Sequence, residues 1–151
     1  MMKNFAIIVL LAFPLFFNAQ LKNTVRKIDI KITGTHALRI ENSGEGDKTE
    51  DMSKVELPDG DETGNSVTIA NPYDTPVRFA FSTADIMEVA EVAPHSFWSG
   101  ESNDYWQNFV IETNGKQQAY SLKTNNCFAI FWDKKAKVWS IKGMKCKMYQ
   151  N

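Results

Sequence analysis

The stretch NFVIETNGKQQAYSL, residues 108–122, holds two strand-like runs parted by Asn114-Gly115 alone. A two-residue hairpin loop of type I′ needs positive φ at both central positions, and Asn followed by Gly supplies that at the least steric cost. Such a loop sets Phe109 opposite Tyr120 and Ile111 opposite Gln118. Slipping by one residue would turn every side chain to the wrong face, so this stretch commits its region to antiparallel sheet.

Other segments carry the same period of two, the mark of a strand with one buried face. RKIDIKIT alternates Ile28, Ile30 and Ile32 with Lys27, Asp29 and Lys31, and HALRIE resumes after Gly34 with Leu38 and Ile40. VTIANP precedes a turn at NPYDTP, bracketed by Pro72 and Pro76, and TPVRFAFS then points Val77, Phe79 and Phe81 one way. CFAIFWD is apolar on both faces and reads as a central strand, while VWSIK returns after the turn DKKAK with Trp139 and Ile141 on one side. ADIMEVAEVA is ambiguous: Ala, Met and Glu favour helix, but ten residues are short for one and the neighbours are strands, so extended structure is preferred. Eight or nine short strands separated by turns predict an all-β chain folded as one antiparallel, immunoglobulin-like β-sandwich.

Residues 42–66 interrupt this pattern with a long polar connection, with a short strand expected near Val55 and Leu57. Glu41 to Glu62 holds nine acids against Lys48 and Lys54, whereas Lys116 to Lys147 holds eight lysines against Asp133 alone. The lysines are spaced along strands and turns, as expected of a solvated sheet that resists edge pairing. No arginine-rich run or stacking motif is present, which argues against a nucleic-acid partner. Within the acidic stretch, Asp59, Asp61, Thr63 and Gly64 match the start of a calcium loop, but the twelfth position is Ala70 rather than a bidentate Glu. A solvated loop is the better reading, and neither metal nor cofactor is expected.

The N-terminus has a different character. Lys3 is the only charge of the first twenty residues, and Phe5 to Phe17 is an unbroken apolar run that ends before the small residue Ala19. This matches a secretory signal peptide at 1–19, despite the bulky Phe17 before the cleavage point. The run is shorter than the ~20 residues that cross a bilayer, and no later segment is long enough, so no membrane span is expected in the mature form. Residues 20–151 would then form a single domain, secreted or periplasmic. In an exported protein the two cysteines, Cys127 and Cys146, are expected to form a disulfide.

Evidence for catalysis is thin. His36 and His95 are the only histidines, no nucleophile elbow accompanies either, and Cys127 lies in an apolar strand where a thiol is usually inert. The densest chemistry is PHSFWSGESNDYWQNF, in which Trp98, Tyr105 and Trp106 flank the polar loop SGESND. Adjacent strand residues face opposite ways, so neither Phe97 with Trp98 nor Tyr105 with Trp106 can both enter one core if extended. Rings beside amides and carboxylates suit a sugar face or a peptide surface, and the same rings could equally cap the core. The expectation is an exported, non-catalytic module that binds a protein or carbohydrate surface through His95, Trp98, Asp104, Tyr105 and Trp106. Two alternatives stand beside it: a small hydrolase using Glu101, Asp104 or His95, and an inhibitor- or immunity-type partner of a toxin or hydrolase.

Overall fold

The computed structural model describes residues 24–30, 40–44, 49–58, 65–83 and 86–146. The leader at 1–19, Ile32, His36, Leu38 and the acidic motif from Asp59 to Gly64 lie outside these residues. The described residues form ten strands: β1 (Val25–Ile28), β2 (Glu41–Asn42), β3 (Ser66–Asn71), β4 (Val77–Thr83), β5 (Ile86–Val92), β6 (Ser96–Glu101), β7 (Trp106–Thr113), β8 (Lys116–Lys123), β9 (Asn126–Asp133) and β10 (Val138–Met144). The first sheet runs in the order β1-β8-β7-β4-β5, with β2 joined to β7, and the second runs β10-β9-β3-β6.

The mostly antiparallel β architecture agrees with the alternation in the sequence, and setting aside the two-residue β2 leaves about the eight or nine strands expected. Two pairings depart from it: β2 lies parallel to β7, and β3 lies parallel to β9. Parallel neighbours need a long crossover connection. Between β3 and β9 that connection contains most of the first sheet, and no local sequence signal announces such a pairing.

Both sheets contribute to one core. Val77, Phe79 and Phe81 from β4 and Phe109 and Ile111 from β7 meet Val67 and Ile69 of β3, Phe128 and Ile130 of β9, and Trp139 and Ile141 of β10. The rings interlock, with Phe79 and Phe109 centroids 4.8 Å apart and Tyr73 edge-on to Trp139 at 4.9 Å. As its apolar faces require, β9 lies between β10 and β3. Its Ala129 packs on the far side of the sheet with Ala70 and Val55. No strand forms at the expected position near Val55 and Leu57; a 3-10 turn, Met52–Lys54, capped by the Asp51 carboxylate on the Ser53 N–H at 3.1 Å, leads into an extended Val55. Met52 and Leu57 flank Val55, so part of the polar connection serves as a lid over this sheet. The ambiguous segment is β5, extended against β4. In contrast to the alternation of RKIDIKIT, β1 stops at Ile28 and Ile30 is 41% exposed.

The hairpin closes as its sequence dictates. Asn114 and Gly115 have φ of 48° and 78°, and Phe109 pairs with Tyr120 and Ile111 with Gln118. The turns after β3, β5, β7 and β9 gather at one end of the molecule, here the hairpin end; the β6–β7 and β8–β9 connections form the opposite end. Cys127 and Cys146 are joined by a disulfide near that opposite end, tying β9 to the segment after β10. Among the described residues no helix is long and apolar enough to cross a membrane.

Two buried asparagines join what the strands leave open. The Asn42 amide accepts from the Arg78 N–H at 2.8 Å and donates to the Arg78 and Glu112 carbonyls, both at 2.9 Å, bridging β4 and β7. Asn71, fully buried, accepts from the Tyr73 N–H and donates to the carbonyls of Thr75, Val92 and Ala93, which locks the hairpin end.

Candidate functional site

The five residues expected to form a site are divided by the fold. His95 lies in the β5–β6 turn at the hairpin end, with φ of 50°, and pairs through Nε2 with the Asp74 carboxylate. Asp104, Tyr105 and Trp106 lie beyond the far end of β6, a six-residue strand that places them on the order of 20 Å away. Trp98, midway along β6, turns inward: its ring is 5.1 Å from Phe79 and 4.7 Å from Phe81. The edge of its indole occupies the space beside Gly100, where a Cβ would come within 2.1 Å of it. The glycine of the loop-like stretch SGESND is therefore strand, and its missing side chain makes room for Trp98. That tryptophan is partly buried and packs against the core.

The structure does bring Tyr105 and Trp106 together, with two cations that the sequence reading missed. Tyr105 is 70% exposed, the most exposed large apolar residue among those described. Its backbone is nonetheless held firmly, because its carbonyl accepts from both the N–H and the hydroxyl of Thr124, at 3.0 and 3.2 Å. The loop is further fixed by Ser102 N–H on the Asn65 carbonyl at 2.6 Å and by Asp104 N–H on the Ser102 hydroxyl at 3.1 Å. An exposed ring on an anchored backbone loses little conformational freedom when it binds.

Trp106 opens β7 and faces outward from the first sheet, opposite Lys123 on β8. The Arg26 guanidinium, from β1, stacks 4.0 Å above its ring, and the Lys123 ammonium lies 5.7 Å from the Tyr105 ring. The hairpin register alone gives the Trp106–Lys123 pair, since the pairing of Phe109 with Tyr120 runs on to it. Arg26 had no comparable signal, because its register partner on β8, Ser121, lies ninety-five positions later in the chain.

The hairpin end contains a second polar group. The Lys142 ammonium donates to both oxygens of Glu50, at 2.9 and 3.2 Å, and the buried Tyr73 hydroxyl accepts from the Trp132 N–H at 3.0 Å. Burial raises the Tyr73 phenol above its ordinary value of 10.0, and the His95 hydrogen bond lowers the Asp74 carboxyl below its ordinary 3.8. These contacts tie loops to strands. His95 and Asp74 do not converge with Glu101 or Asp104, which belong to the other end. Among the described residues no group of three or more His, Cys, Asp or Glu could hold a metal ion. No family model, no curated protein and no solved structure matches this chain.

Proposed function

We propose that this protein is an exported, non-catalytic β-sandwich module that recognises a protein or carbohydrate surface through the end of the molecule bearing Tyr105 and Trp106. The observation that carries this reading is the Tyr105 ring, 70% exposed on a backbone clamped by Thr124. Large rings at binding surfaces supply apolar contact at low entropic cost, and neighbouring cations and amides supply direction. The separation of His95 from Glu101 and Asp104 speaks against a hydrolase built from those three groups. The apolar leader speaks for export, with Gln20 as the first mature residue, and the Cys127–Cys146 disulfide fits an oxidising compartment.

Binding of the purified protein to arrayed glycans and to proteins of its own culture fluid, compared with Tyr105→Ala, tests the site. The variant should lose the captured ligand while keeping its unfolding midpoint; a variant that retains every interaction would sink the assignment. N-terminal sequencing of protein recovered outside the cytoplasm should begin at Gln20.

A further inference from the structure

We propose that the half of the first sheet's outer face next to Tyr105 binds an acidic glycan, with Arg26 and Lys123 reading the anionic groups and Tyr105 as the stacking platform. This rests on the reading of that end as a recognition surface and adds the charge and class of its ligand.

The outer face is divided by a row in register across five strands: Ile28, Ala119, Val110, Ala80 and Val89. Ala119, Val110 and Ala80 are buried, packed with Ile40, Ile28 and Met87, so the chain itself covers this strip. On the hairpin side of the row two carboxylates are already engaged. Glu91 pairs with Arg78 at 2.7 Å, and Glu112 accepts from the Gln117 amide at 2.8 Å.

The other side has the opposite character. The next row holds Arg26, Ser121 and Asn108 in register, with the Ser82 hydroxyl accepting from the Asn108 N–H at 3.2 Å. Beyond it come Lys123 and Trp106, then Tyr105. Among the described residues the two strand rows contain two cations, hydroxyl and amide groups and the Trp106 ring, and no carboxylate; Asp104 lies beside Tyr105 in the loop beyond them. Among the described residues neither Arg26 nor Lys123 has a carboxylate partner. Stacking on Trp106 orients the Arg26 guanidinium while leaving its N–H edge available to an oxygen anion.

Charge complementarity thus selects an anion, and the intervening hydroxyls and amide select a hydroxylated ring. An acidic peptide read through its backbone would need a free strand edge, and this surface is a sheet face.

Titration with polygalacturonate, chondroitin sulfate, neutral dextran and poly-glutamate separates the possibilities. The proposal expects one of the two acidic polysaccharides to bind, with affinity falling as salt rises. Arg26→Gln and Lys123→Gln should each weaken that binding about tenfold and reduce its salt dependence. Tyr105→Ala should weaken it without changing the salt dependence, and near-UV circular dichroism should show all three variants folded.

Equal or tighter binding of poly-glutamate assigns the surface to acidic peptides and overturns the proposal. Tyr105-dependent binding of dextran alone overturns the acidic character but leaves the recognition surface standing. Binding of acidic polysaccharide that is indifferent to Tyr105 as well as to Arg26 and Lys123 overturns both readings, as does no binding of any probe together with no Tyr105-dependent partner from culture fluid.

Discussion

Asn42 puts a side-chain amide where a strand would have put its backbone. It pairs with both the N–H and the carbonyl of Arg78, at the place where β4 and β7 separate. Leaving a buried polar group unsatisfied costs about 1–3 kcal/mol. Asn42→Ala removes the partner of the Arg78 N–H and of the Ile40, Arg78 and Glu112 carbonyls, so it should cost at least that much in a urea titration. Asn42→Asp should be no better despite its shape, because a carboxylate cannot donate to the carbonyls of Ile40, Arg78 and Glu112. Gly100 has an equally specific role. An added Cβ would meet the Trp98 ring edge at 2.1 Å, so Gly100→Ala must displace the indole from Phe79 and Phe81. Overpacking of this kind costs about 1–3 kcal/mol, and a shift in tryptophan emission should accompany the loss. Neither role was legible in the sequence. Asn42 sat at the start of a polar stretch and Gly100 inside an apparent loop, and each acquires its task only from a partner distant in the chain or from a ring lying back along its own strand.

The β7–β8 hairpin is the element in which sequence and structure agree most closely. Its turn conformation, its register and even the Trp106–Lys123 pair follow from Asn114-Gly115 and alternation. A Cβ at Gly115 would meet nothing within 4 Å, so the cost of Gly115→Ala is conformational alone. It should amount to about 1–2 kcal/mol, read from the unfolding midpoint, with the surface around Tyr105 unchanged. The inward residues of β4 and β10 were legible for the same reason, since alternation is a local property, and the central place of β9 followed from its two apolar faces. β1 and β2 were not. Ile30 continues the alternation of its strand yet lies exposed, because β1 follows β8 only as far as the Ile28–Ala119 pair. The candidate site shows the same divide. Tyr105 and Trp106 could be found from composition and hairpin register, whereas Arg26 and the burial of Trp98 depend on which strands meet across the sheets.

At the scale of the whole molecule, the titrating groups define a window of stability. Hydrogen bonds from His95 to Asp74 and from Ser53 to Asp51 hold both carboxyls below 3.8 in the fold. Between the folded and unfolded values the unfolded chain binds more protons, so this contribution is present above about pH 4 and is lost as pH falls through the lowered values. Asp74→Asn should flatten the acid limb of a stability–pH profile. Tyr73 and Tyr120 behave in the opposite sense: burial raises both above 10.0, so stability is retained below that pH and falls as the unfolded chain ionises first. Tyr73→Phe should make the alkaline limb shallower. The Cys127–Cys146 bridge spans a sequence separation of 19, and reducing it should lower stability by about 3 kcal/mol, seen as a lower urea midpoint with reductant present.

The parallel pairing of β3 with β9 has a consequence for how the chain reaches this state. Val67 waits for Asn126, fifty-nine positions later, before its strand gains a neighbour on that side. Contacts so distant in sequence form slowly, after the loop between them has closed. The hairpins β7–β8 and β9–β10 need no such wait, so assembly should begin in the last third of the chain and draw β3 in afterwards. A nascent chain ending at Asn125 would present β3 with one side unmatched, which makes the second sheet the last part of the molecule to mature and the first to be exposed to errors of association.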